Sequence, residues 1–99
     1  MFEIKISLEV HKYIELNYLE KLNSPIFSKD QNIFESHVIG ILNTIKSIFE
    51  ILKLNPFSYP KLENGIHFAC HPYLPFILFY NITDKNVIIF DCKKREDLF

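Results

Sequence analysis

The feature that most constrains this chain is the segment 55–82, where a helix stop, Asn55-Pro56, is followed by two apolar runs rich in Phe and Tyr. Proline disfavours the helical conformation in the residue before it, so a helix arriving from upstream ends near Leu54. Pro56, Pro60, Asn64 and Gly65 then break up residues 56–64, which read as a loop laid across the helix end and pinned by Phe57, Tyr59 and Leu62. Strands are predicted at about 65–71, 75–82 and 86–92, the last two joined by Thr83-Asp84-Lys85-Asn86 as antiparallel hairpins. The runs Phe76 to Tyr80 and Val87 to Phe90 are apolar without a break. They mark central strands with helices on one face and a partly buried second face, the surface open to a partner.

Upstream, Phe2, Ile4 and Ile6 alternate with Glu3, Lys5 and Ser7, the period of a strand with one face buried. Ser7 suits the cap of a following helix, and Glu9 places a negative charge near its positive end. Leu8, Val10, Tyr13, Ile14, Leu16, Leu19 and Leu22 continue at helical spacing to about residue 22. Residues 23–30, with Pro25, read as a reversing loop, and Ser28 or Asp30 as the cap of a longer helix. On that helix Phe34, Val38, Ile41, Leu42, Ile45, Ile48, Phe49 and Leu52 share one face. The fold class predicted is α+β in the order strand-helix-helix-strand-strand-strand, a helical hairpin packed on a small antiparallel sheet.

Composition enters as a bound. With 99 residues and 48% hydrophobic content the chain builds one core, so residues 1–99 are read as a single domain. Neither a signal peptide nor a membrane-spanning run of about 18 apolar residues is present, which predicts a cytoplasmic protein without a membrane partner. Cys70 and Cys92 are expected as reduced, buried strand residues. The formal net charge of −1 offers no cationic surplus for nucleic acid, and the basic run Lys93-Lys94-Arg95 is followed at once by Glu96 and Asp97. His67, Cys70, His71 and Cys92 are metal-ligand types, but Cys70 alternates away from the histidines in a regular strand, so neither metal nor cofactor is expected.

The block 55–82 resembles the second half of a RelE/ParE-type toxin of type II toxin-antitoxin (plasmid stabilisation) systems. Asn55-Pro56 matches the exit from the second helix, Gly65-Ile66 the opening of the first hairpin strand, and Leu74-Pro75-Phe76, Tyr80 and Ile82 the next strand, without a gap from Gly65 to Ile82. The resemblance covers the whole chain in the order of elements and is specific in sequence only in the C-terminal half.

In the RelE branch, ribosome-dependent mRNA interferases stabilise the charge of RNA cleavage with Lys and Arg projecting from the sheet. On the resemblance, two lysines of that branch fall at Phe68 and Cys70, and an arginine at Ile77. None of these can serve. Arg95 persists, and His67, His71 and Arg95 remain as the candidate catalytic residues, with Tyr80 a further acid or base. The resemblance is therefore closer to the ParE branch, which acts by binding DNA gyrase rather than by cutting RNA. It departs from that branch at His67-Phe68 and at Pro72-Tyr73, where relatives carry Arg or Lys, and near Lys93 through Asp97, where a His-x-x-Arg-Asp pattern is met only loosely. What it implies is a toxin neutralised by a cognate antitoxin, with Lys93, Lys94 and Arg95 as target-binding candidates. The aromatic residues Tyr13, Tyr18, Phe57 and Tyr59 are the antitoxin-binding candidates. The alternatives are an mRNA interferase acting on ribosome-bound message through other residues, and a detoxified domain that keeps only antitoxin binding.

Overall fold

A computed structural model describes residues 1–19 and 31–97. Its elements are β1 (Glu3–Ile6), α1 (Leu8–Ile14) running into a π-helical turn (Glu15–Leu19), α2 (Gln31–Leu54), a 3-10 turn (Pro56–Ser58), β2 (His67–Ala69), β3 (Phe76–Thr83), β4 (Asn86–Lys94) and a closing 3-10 turn (Arg95–Asp97). The α+β class and the order of elements are as the sequence predicts. Leu22, the loop 23–30 with Pro25, and the caps Ser28 and Asp30 lie outside the described residues, as do the side chains of Leu19 and Phe34.

The sheet has the order β1-β4-β3-β2. It is mixed rather than wholly antiparallel, because β1 runs parallel to β4, pairing Ile4 with Val87 and Ile6 with Ile89. The two hairpin pairs are antiparallel, with Phe68 opposite Phe79 and Leu78 opposite Cys92. A register shift after Phe79 sets Tyr80 against Ile89 but Phe79 against Asp91, so Phe90 is an extra residue on β4. Such a bulge bends the strand and sharpens its twist.

Local chemistry accounts for the boundaries. Ser7 Oγ accepts from the amide of Val10 at 3.3 Å, capping α1 as its position implies. At the other helix end, the Asn55 amide donates to Ile51 O at 2.8 Å, and its side chain accepts from the Phe57 amide at 3.2 Å. Asn55 thus closes α2 and opens the 3-10 turn, with Pro56 in the first position of that turn, where a missing N–H costs nothing. Gly65 has φ +85°, a conformation that side chains resist, and Asn64 accepts the following amide of Ile66 at 3.1 Å. The resulting turn folds residues 60–62 back on β2: Leu62 donates to Ile66 O at 2.8 Å and Phe68 to Pro60 O at 3.1 Å.

Both helices lie on one face of the sheet. Val10 of α1 and Ile41, Ile45, Ile48 and Leu52 of α2 meet Ala69, Phe76, Leu78, Tyr80, Val87 and Ile89 in one buried cluster. Each fully buried side chain of this size stabilises by about 1.5–3 kcal/mol. The predicted face of α2 is therefore the real one, whereas Leu8 on α1 and Leu16 on the π-helical turn are exposed and Val10 is the fully buried residue of α1. Loop 56–64 is held by buried Pro56 and half-buried Tyr59, while Phe57 and Leu62 stand in solvent.

β2 ends at Ala69, two residues earlier than its predicted limit, and this has two consequences. His71 leaves the strand and does not share a face with His67. Cys70 is exposed rather than buried, and only Cys92 packs against the core.

Candidate functional site

The residues nominated from sequence separate into two groups at the two ends of β3. At the Tyr80 end, the Tyr80 hydroxyl donates to Pro56 O at 2.7 Å, and the His67 ring stacks on the Tyr80 ring with centroids 5.2 Å apart. His67 Nδ1 lies 3.1 Å from Tyr59 O, which can only accept, so Nδ1 carries the proton. Phe57 meets His67 edge-on at 6.1 Å and Phe2 at 6.4 Å. Burial raises the Tyr80 phenol above its ordinary range, with Tyr59 adding to the rise, and burial raises Tyr59 as well. Neither phenol supplies a base near neutral pH. This end is a closed set of aromatic and backbone contacts that ties the loop after α2 to the sheet.

At the Phe76 end the arrangement is open. Tyr13 and Tyr18 both pack on Phe76, at 5.5 Å and 5.8 Å. The Tyr18 hydroxyl is pushed up to about 12, mainly by burial and further by Tyr13 and Cys92. The Arg95 amide donates to Pro75 O at 3.0 Å, fixing the turn after β4 against the start of β3. The Arg95 guanidinium reaches back to the loop after β2, where Nη2 donates to the His71 carbonyl and lies 3.4 Å from Cys70 Sγ. Arg95 Nε is shut off from solvent without an acceptor among the described residues. His71 Nδ1 accepts from the Tyr73 amide at 3.2 Å, so its proton sits on Nε2, the opposite tautomer to His67.

Beside Arg95 lies a cleft of about 530 Å³ lined by Tyr13, Pro75, Lys94, Arg95 and Glu96. Among the described residues it offers apolar and aromatic walls with two cations and one carboxylate. Neither Lys94 nor Arg95 forms an ion pair among the described residues. Such a lining suits a ligand that carries a negative charge next to an apolar group.

The structure divides the nominated cations. Lys94 pairs with Phe76 on β3 and lines this cleft, whereas Lys93 pairs with Ile77 and lines a smaller hollow of about 190 Å³ on the opposite face of the sheet, with Asp91, Phe79 and Phe90. Of the four aromatic residues nominated for a partner, only Phe57 is substantially exposed, at 64%; Tyr13, Tyr18 and Tyr59 are half-buried against the core. Tyr73, at 74% exposure, was not nominated and lines a third groove of about 320 Å³ with His37, Gly40, Ile41 and Thr44. Nothing in the local sequence distinguishes Tyr73 from its neighbours, and the joining of Tyr13 and Pro75 to Arg95 depends on tertiary packing alone. The candidate catalytic set does not assemble: His67 is locked at one end of β3, and His71 and Arg95 meet at the other through a backbone carbonyl. Among the described residues no group of His, Cys, Asp and Glu converges as a metal site would, and no helix is long and apolar enough to cross a membrane. Against family models, curated proteins and solved structures the chain finds no match.

Proposed function

We propose that this chain is the toxin of a type II toxin-antitoxin pair, ParE-like, which acts in the cytoplasm by binding DNA gyrase and is neutralised by a cognate antitoxin. The residue pattern of 55–82 and the strand-helix-helix-strand-strand-strand order support the family reading. The observation that favours binding over RNA cleavage is the sheet itself. Where the nuclease branch projects cations, Phe68 is half-buried, Ile77 is 2% exposed and Cys70 has left the strand. One arginine, held by a carbonyl, lacks the proton-transfer partner that cleavage at a 2′-hydroxyl demands. In this reading Arg95 and Lys94 face the target from the cleft, and the exposed Phe57 contributes to the antitoxin surface.

The test is induction of the chain in a susceptible bacterium, with and without the adjacent reading frame, while growth, DNA breaks and message integrity are followed. Growth arrest with DNA breaks, relieved by the neighbouring frame, is the expected result. Arrest with cut messages that disappears on Arg95→Ala would overturn it in favour of an mRNA interferase. Absence of arrest with retained binding to the neighbour's product would identify a detoxified antitoxin-binding domain.

A further inference from the structure

The two edges of the sheet are treated differently. Along β2 the outer edge is covered by residues 60–62 through the Leu62–Ile66 and Phe68–Pro60 hydrogen bonds and a bridge between Lys61 and His67. β1 has no such cover among the described residues. Glu3 donates to Lys85 O at 2.8 Å and Ser7 to Ile89 O at 2.9 Å, so the odd residues of β1 face β4. By alternation, Ile4 and Ile6 turn their N–H and C=O groups outward. Phe2 also points outward, and its amide is taken up by Lys53 O at 3.0 Å, leaving the free stretch at Ile4 and Ile6. Ile6, on the helix side of the sheet, is 38% exposed. An open edge of this kind is a template for another strand.

We propose that the β1 edge pairs antiparallel with the β1 edge of a second copy of this chain, about a two-fold axis at Ile4. The charge pattern selects both the occupant and the register. Centred on Ile4, the pairing sets Glu3 opposite Lys5 of the second copy and Lys5 opposite its Glu3, while Ile4 meets Ile4 and Ile6 donates to the Phe2 carbonyl, the Phe2 amide staying with Lys53 O. Centred on Lys5, the next register that presents outward groups to each other, it sets Lys5 against Lys5. Cross-strand pairs of opposite charge stabilise and like charges directly opposite destabilise, so the sequence Glu3-Ile4-Lys5 is complementary to itself in one register and not in the other. Neither Glu3 nor Lys5 has an ion-pair partner within the described chain. A two-fold contact satisfies both at once, since each pairing occurs twice. The inference is independent of the toxin reading.

Sedimentation of the full chain over a concentration series tests it. The wild type is expected to dimerise, with Glu3→Lys and Lys5→Glu each weakening the dimer about tenfold or more, and the double exchange Glu3→Lys/Lys5→Glu restoring it. Restoration also shows that the exchanged chains fold. In a Cys70→Ser background, a Glu3→Cys chain mixed with a Lys5→Cys chain should form a disulfide-linked pair under mild oxidation faster than either chain alone. A wild type that stays monomeric, single exchanges without effect, or equal crosslinking of like chains would each overturn the proposal.

Discussion

The two ends of β3 carry nearly the same residue types to opposite outcomes. Each has tyrosines, a histidine and a loop carbonyl, yet the Tyr80 end is closed and the Phe76 end is half-satisfied. At Tyr80 the polar atoms face backbone groups of a loop that is itself anchored by Pro56, so hydroxyl, imidazole and carbonyl find partners inside the protein. At Phe76 the corresponding polar group is a guanidinium, whose several donors exceed the acceptors around it among the described residues. One carbonyl and a sulfur engage Nη2, Nε is buried without an acceptor among the described residues, and the residue lines a cleft. The lesson is that polar groups paired with backbone inside the protein build the fold, whereas an excess of donors beside open space is where a ligand adds something.

The largest effect that sharpens this contrast is expected from Tyr80→Ala. Tyr80 is fully buried, and removing the ring should cost about 3–5 kcal/mol, read as a lower denaturant midpoint. Tyr80→Phe keeps the stack on His67 but strips the donor from Pro56 O, and about 1–3 kcal/mol should follow from the orphaned carbonyl. A Tyr80→Phe chain as stable as the wild type would show that the closed end is held by packing alone.

Arg95→Ala should behave in the opposite way. Its charged hydrogen bond to His71 is worth about 1.5–3 kcal/mol, less than the Tyr80 ring, so the fold should survive, and on the proposed toxin reading growth arrest should be lost because the cleft loses a cation. Retained arrest would move the functional surface away from this end of β3.

How much of this contrast was legible beforehand depends on the range of the interaction. The α2 face, the Ser7 cap and the stop at Asn55-Pro56 rest on local periodicity and local hydrogen bonds, and they stand where the sequence puts them. The parallel pairing of β1 is non-local and leaves no trace in an alternating pattern, since either direction buries the same face. The early end of β2 coincides with a local turn over 71–74, with Pro72 in its second position and the Leu74 amide donating to His71 O at 2.9 Å, and Arg95 donates to the same carbonyl from across the sheet. Arg95 stands out in the sequence only through the family resemblance, not through the basic run it belongs to. Its union with Tyr13, some eighty positions earlier, had no local signal.

A pH series distinguishes the Phe76 end by its titrating groups. Burial, with a contribution from Asp91, pushes the Cys92 thiol from its ordinary value of 9.0 to about 11, and Tyr18 rises from 10.0 to about 12. Both groups hold their protons more tightly in the folded chain. Their stabilising contribution is therefore complete below the unfolded values and is lost as pH rises through the folded ones. Stability should be flat with respect to these two groups up to about pH 8.5 and decline between 9.0 and about 12, first through Cys92 and then through Tyr18. Cys92→Ala should blunt the early part of that decline, and a thiol reagent should label exposed Cys70 well before Cys92 in the folded protein.

The smallest effects on stability, and the finest division of the site, are expected from the neighbouring lysines. Lys93→Glu and Lys94→Glu change exposed side chains and should each shift stability by no more than about 0.5 kcal/mol. Their functional effects should nevertheless differ, because adjacent strand residues project to opposite faces. Lys94 shares its cleft with Tyr13 and Arg95, so reversing its charge places a second carboxylate beside Glu96 and should weaken growth arrest. Lys93 stands across the sheet beside Asp91 and Phe90, and its reversal should leave arrest unchanged. Equal loss in both variants would mean that the target contacts both faces of β4, and loss in Lys93→Glu alone would transfer the site from the cleft to the outer face of the sheet.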